Sequence, residues 1–192
     1  MSDKQVRIPS VEVDFPYPCS VIQLTPDYAP LIGNMLEMVL NTKAQVILET
    51  GTNIGDSSRI WLEGLSKTGG ELWTIDVKEY DNSWADGIKN IHFIRGSSTE
   101  IPWDKPIDIL YLDSDHSYGH VTRELVKFGP YVKEGGAIVM NDTCHHECGW
   151  EVTQALRHFM LAAGLCHWTE NVRGYGLAIV QVTKQIPHLH FP

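Results

Sequence analysis

Cysteine is scarce in this chain: Cys19, Cys144, Cys148 and Cys166 are four residues in 192. That density excludes a disulfide scaffold and points to a reducing, cytosolic setting. Long apolar runs are also missing. No stretch approaches the ~18 residues that a membrane span needs, and Met1-Ser2-Asp3-Lys4 leads into no apolar segment of a secretory signal. Basic residues are outnumbered, 15 Lys and Arg against 24 Asp and Glu, for a formal net charge of −9. A surface of that sign argues against nucleic acid and anionic membrane as partners. Internal repeats and low-complexity blocks are absent as well.

What remains is an ordinary globular composition, 43% hydrophobic and 20% charged, with six tryptophans. One domain with a substantial core follows from the length. Residues 1–24, with Pro9, Pro16 and Pro18, read as an irregular arm, residues 25–184 as the domain and 185–192 as a tail. Thr25-Pro26 has the form of a helix start, and Leu31, Ile32, Met35, Leu36 and Val39 follow at helical spacing. The chain then alternates. Strands are expected at Ala44–Leu48, Glu71–Ile75, Ile91–Ile94, Ile107–Leu112 and Ala137–Met140, the last set off by Gly135-Gly136. Helices are expected from Asp56 to Leu65, around Val121, Leu125 and Phe128, and along the stripe Val152, Ala155, Leu156, Phe159, Met160 and Ala163. Leu165–Thr169 and Tyr175–Val182 make a late pair whose short connection implies an antiparallel arrangement. The fold class is therefore α/β: a doubly wound, Rossmann-like, mostly parallel sheet with an antiparallel late strand.

Open sheets of this kind bind ligands outside the carboxyl ends of their strands. The first tip carries Glu49-Thr50-Gly51-Thr52-Asn53-Ile54-Gly55-Asp56-Ser57. Its two glycines let a backbone approach a ligand closely, and the helix start that follows offers free N–H groups to a carboxylate. The spacing is neither Gly-x-Gly-x-x-Gly nor a phosphate loop. Glu49 suits an ammonium group better than a pyrophosphate. Asp76, about 25 residues beyond the turn, is placed for a ribose diol. Gly96-Ser97-Ser98-Thr99 ends the third strand with small hydrogen-bonding side chains. Asp113-Ser114-Asp115-His116 ends the fourth, and Asn141-Asp142 the fifth. Adjacent tips bring Asp113, Asn141 and Asp142 together as hard oxygen donors for Mg²⁺ or another divalent ion. His116 beside them is a candidate general base. Singly, each feature also fits a tight turn or a solvated strand end; their conjunction is the signal. Cys144-His145-His146-Glu147-Cys148 has a density of cysteine and histidine that can bind zinc, but no second ligand pair is evident elsewhere. It reads as a loop at the mouth of the site.

With these residues assembled, the chain resembles the class I S-adenosylmethionine-dependent methyltransferases from roughly Thr25 to Thr183. The strongest segments are Val46–Ser57, Tyr111–Tyr118 and Gly135–Thr143. It is similar to small-molecule O-methyltransferases of the catechol type, and closer to the metal-dependent types that tailor sugars and antibiotics. The resemblance implies that Gly51, with Thr52 and Asn53, lies under the cofactor and that Glu49 faces its amino group directly or through water. It implies Ser57 for the carboxylate, Asp76 for the ribose and Ser98 and Thr99 for the adenine. Asp113 would border the cofactor and ligate the metal with Asn141 and Asp142. His116 falls where the tailoring enzymes carry a basic histidine. The fifth tip departs from both types, which have Asp then Asn, or two acids.

The implied function is methyl transfer to a hydroxyl of a small molecule: a sugar, a catechol-like ring or another secondary metabolite. Three alternatives stay open on the residues. One is a methyltransferase that needs no metal. Another is a nicotinamide-dependent oxidoreductase, disfavoured by the missing third glycine and by Glu49. The third is a non-catalytic binding protein of this fold. The segments around Trp84 and Trp150 leave room for a homo-oligomer or a lid.

Overall fold

The computed structural model describes residues 29–171 and 175–189. The expected helix start at Thr25-Pro26 and the whole of the arm, residues 1–24, lie outside them. Helix α1 (Ala29–Thr42) leads into β1 (Val46–Thr50), α2 (Asp56–Thr68), β2 (Glu71–Asp76), β3 (Ile91–Arg95) and β4 (Ile107–Leu112). Then come α3 (Tyr118–Phe128), β5 (Val132–Asn141), α4 (Gly149–Ala163), β6 (Trp168–Asn171) and β7 (Leu177–Gln181). The seven strands form one sheet in the order β3-β2-β1-β4-β5-β7-β6. Strands β1 to β5 pair in parallel, and β7 runs antiparallel to both β5 and β6. The mostly parallel sheet with an antiparallel late strand is the architecture expected.

Strand residues alternate between two cores, as a period of two requires. On one face Ile47, Ile109, Val139 and Leu177 pack under α1 and α2 with Met35, Val39, Trp61 and Leu65. On the other, Leu48, Leu110, Ile138 and Val180 pack under α3 and α4 with Leu125, Phe128, Leu156 and Phe159. The order reverses between β1 and β4, so the helices following these strands leave by opposite faces. A crevice opens at that switch point.

Several strand boundaries differ from expectation: β6 starts three residues late at Trp168, β7 runs only from Leu177 to Gln181, and two others have a visible cause. β1 begins at Val46 rather than Ala44, because the N–H groups of Gln45 and Val46 donate to Asp108 Oδ2 at 2.9 and 2.8 Å. Gly135-Gly136 lies inside β5 rather than before it. The β4–β5 register slips there, from Ile107↔Val132 to Ile109↔Ala137. The extra residues form a bulge with Gly135 at φ +86°. Gly135 N–H still donates to Val182 O at 2.8 Å, which extends the pairing with the end of the chain.

Asp108 is the polar tie at the base of the sheet. It is buried, and its second oxygen accepts from Lys133 Nζ at 2.7 Å. Asp108→Ala leaves two backbone donors and a cation without their acceptor. The expected loss is about 2–4 kcal/mol in chemical denaturation. A loss below about 0.5 kcal/mol would show that water replaces the carboxylate fully.

Candidate functional site

The crevice is built on close contact between two strand tips. At Gly51 (φ +86°) an added Cβ would lie 2.0 Å from the Asp113 carbonyl oxygen, so only glycine fits. Asp113 N–H donates to Thr50 O at 3.0 Å, and Gly51 N–H to Ile75 O at 2.8 Å. Tips β2, β1 and β4 are thereby laced together.

A cavity of about 360 Å³ opens above them. Gly51, Asn53, Asp76, Ser98 and Asp113 line it, along with Tyr80 and His120, among others. Asp76 sits at the tip of β2, where Oδ2 accepts from Asn53 N–H at 3.0 Å and Oδ1 from Lys78 N–H at 2.8 Å. Asn53 reaches this position in a left-handed conformation, φ +47°. Thr52 lies beneath the turn, its hydroxyl 2.6 Å from that of Thr74. Thr99 stands just outside, with its hydroxyl 2.9 Å from Ser97.

The second half of the site lies across Asp113. Tyr111 OH donates to Asp113 Oδ2 at 3.1 Å, and Asn141 Nδ2 donates to Asp113 Oδ1 at 3.1 Å and to Asp142 Oδ1 at 3.0 Å. His116 Nε2 lies 3.4 Å from Asp113 Oδ1 and 3.5 Å from Asp142 Oδ2. Those separations are close enough for ion pairs. Yet Nε2 is buried and has no hydrogen-bond partner among the described residues. Contact with Asp113, and then the charges of Asp142 and Asp115, raise the His116 pKa against its desolvation. Burial, followed by the nearby Asp113 charge, raises that of Asp142. Asp142 holds its place at φ +58°, a strained backbone of the kind that collects at functional sites.

Residues 48–143, half of the chain, match the model of a family described as a methyltransferase domain. The chain belongs to this methyltransferase family. A curated relative, the O-methyltransferase ankF of Aspergillus thermomutatus, is 28% identical over 113 residues, 54% of this chain. The match spans about half of the relative, 47% of its length. Among solved structures, the S-adenosylhomocysteine-bound methyltransferase PaMTH1 of Podospora anserina superposes with a TM-score of 0.60 at 16% identity. That match covers 80% of this chain and 78% of that one. MycE, from the mycinamycin biosynthetic pathway and in complex with Mg, S-adenosylhomocysteine and mycinamycin VI, gives 0.61 at 19% identity. It covers 80% of this chain and 49% of that one. Identities this low establish a shared fold.

Within the crevice, one residue stands apart from its expected surroundings. Glu49 is fully buried below the Gly51 turn, and it accepts from Ser57 Oγ at 2.6 Å, from Ser58 Oγ and from Thr74 Oγ1 at 2.6 Å. Ser57 therefore spends its hydroxyl on Glu49. Burial raises the Glu49 pKa from its ordinary 4.5 to about 7, more than the three hydroxyls lower it. His120, which the sequence reading passed over, sits on the first turn of α3, its Nε2 3.1 Å from Ser98 Oγ and 3.4 Å from Glu124 Oε1. Glu124 in turn is fully buried and accepts from Ser114 Oγ at 2.7 Å. The i, i+4 spacing of His120 and Glu124 was the available signal.

A carboxyl whose pKa rises on folding binds its proton more tightly in the native state. Its stabilising contribution is full below pH 4.5 and is lost as pH climbs through about 7. The Glu49→Gln variant should lose this slope. Relative to wild type, its stability should gain on the order of 3 kcal/mol between pH 4.5 and pH 8. Denaturation at several pH values measures this, and parallel pH profiles for the two proteins would refute it.

Proposed function

We propose that this chain is an S-adenosylmethionine-dependent O-methyltransferase acting on a small-molecule hydroxyl with the help of a divalent cation. The observation that carries the reading is the juxtaposition across Asp113. A nucleoside-sized cavity with a carboxylate at its β2 wall lies on one side, and a histidine between two carboxylates lies on the other. MycE, which shares the fold, was solved in complex with Mg and S-adenosylhomocysteine, and this supports the pairing of cofactor and cation.

On the cofactor side, Asp76 would accept from the ribose hydroxyls, and Ser98 and Thr99 would border the adenine. Gly51, Thr52 and Asn53 supply the turn beneath. The backbone N–H groups at the start of α2, that of Ser57 among them, would receive the carboxylate, since the Ser57 hydroxyl is held by Glu49. Glu49 would act on the amino group through Ser57 or a water, since its own oxygens are enclosed. S-adenosylmethionine supplies a methyl group on a sulfonium, already a good leaving group. The protein's tasks are to align donor with acceptor and to accept a proton.

On the cation side, Asp113, Asp142 and Asn141 would hold Mg²⁺ or another divalent ion. Two carboxylates crowd here, and the buried, unpartnered His116 Nε2 stands between them, so the donor set fits a cation. Such an ion lowers the pKa of a hydroxyl that it binds. His116 would take the proton. The acceptor class rests on the negative net charge and on mycinamycin VI, the small molecule in the MycE complex. One observation favours a metal-independent variant: Asn141 Nδ2 already bridges Asp113 and Asp142.

S-adenosylhomocysteine at about a hundredfold excess over Kd should stabilise the chain by about 2.7 kcal/mol. For this size that is a Tm rise of ~5–10 °C, with none for NAD or NADP. A rise with the nicotinamides instead would overturn the methyltransferase chemistry. His116→Ala should lower kcat by ~10²–10⁴ with a smaller change in KM. EDTA should suppress turnover, and full activity in EDTA would remove the cation while sparing methyl transfer.

A further inference from the structure

Between β5 and α4 the chain runs Asp142-Thr143-Cys144-His145-His146-Glu147-Cys148. This loop is pinned at both ends. His145 N–H donates to Asp142 O at 3.1 Å, Gly149 N–H to His145 O at 2.8 Å, and Thr153 Oγ1 to Thr143 O at 3.0 Å. A Cβ on Gly149 would lie 2.6 Å from Thr143 O, so the loop folds flat against the start of α4. Cys148 occupies the N-cap of that helix. The folding back brings Cys148 to the strand-tip site. His116, Asp142 and Cys148 each offer a ligand atom, and all three atoms lie within 4.8 Å of one another. The partner for the cysteine-rich loop comes from the β4 tip, where the sequence shows no second pair of zinc ligands.

We propose that His116, Asp142 and Cys148 form a binding site for a thiophilic divalent ion of the Zn²⁺ kind. This deepens the cation reading above and rests on its assignment of Asp142 as a ligand. Imidazole, carboxylate and thiolate are the donor set of zinc rather than magnesium, which takes oxygen alone. Two observations converge on it. The three donors are already gathered by the backbone, and the buried His116 Nε2 has no hydrogen bond to occupy it. The consequence is competition. Zn²⁺ takes the imidazole lone pair that a general base needs, and it shares Asp142 with Mg²⁺. Zinc at this site therefore removes His116 as a base. Cys144 is excluded from the set, since its thiol donates to Glu170 Oε1 at 3.6 Å.

Co²⁺, Zn²⁺ and Mg²⁺ titrated into the whole chain test this. Co²⁺ should give a near-ultraviolet thiolate-to-cobalt charge-transfer band that Zn²⁺ abolishes. In Cys148→Ser the band should vanish and Zn²⁺ affinity should fall by ~100-fold or more, since even outer-sphere partners cost 10–100-fold. Mg²⁺ affinity should change by less than about twofold, because oxygen donors remain. Serine is a good N-cap, so the fold should hold. Asp142→Asn, whose asparagine tolerates the left-handed backbone, should weaken both ions and gives a second measure. Cys144→Ser should keep the band. No band in the wild type, or unchanged Zn²⁺ affinity in Cys148→Ser, overturns the site. A Tm rise with S-adenosylhomocysteine but no band sinks this inference alone, whereas a band without that rise sinks the methyltransferase chemistry alone.

Discussion

The strand switch point depends on how closely β1 and β4 approach at Gly51. Parallel strands with helices on opposite faces must part somewhere, and here the parting is bridged by a backbone contact that no side chain could share. The Asp113 carbonyl presses on the Gly51 turn, while the Asp113 carboxylate reaches the other way, toward His116 and Asn141. The cavity beside Gly51 and the cluster around His116 are thus served by two surfaces of one residue. Ordinary sheet geometry makes this possible, because every strand of the parallel set delivers its carboxyl end to the same edge.

Electrostatically the edge is unsettled. Glu49, Asp113 and Asp142 lie close together in a partly dry environment, and burial raises the pKa values of Glu49 and Asp142. Three hydroxyls offset part of that cost at Glu49. At Asp113 and Asp142 the offset is one amide, one phenol and one imidazole short of a hydrogen bond. Sites with uncompensated negative charge and pre-placed donors are what cations select.

Some of this could be read in the sequence, and the parts that could not have physical causes. Ile107–Leu112 emerged with both its ends because a strand buried on both faces is a clean apolar run between polar tips. Ala44–Leu48 was displaced by two residues because a side chain 62 and 63 positions away, Asp108, takes the N–H groups of Val46 and Gln45. Gly135-Gly136 looked like punctuation, but a bulge also needs glycine, and only pairing with β7 separates the two. The convergence of Asp76, Asp113, His116, Asn141 and Asp142 on one edge followed from the strand–helix alternation alone. The enclosure of Glu49 did not, because it depends on the rotamers of Ser57, Ser58 and Thr74. Cys148 stood out in a candidate zinc-binding cluster, but its approach to His116 did not, because His116 lies 32 residues earlier and their meeting depends on how one loop folds back.

That Asp113 faces both ways has a thermodynamic corollary. Any ligand that shifts it, whether a nucleoside leaning on the Gly51 turn or an ion drawing on the carboxylate, alters the standing of the other. Linkage requires the two effects to be equal in free energy. Saturating one half of the edge should then read out as a changed dissociation constant for the other, by the same factor in both directions, with a rigid tip giving a factor near one.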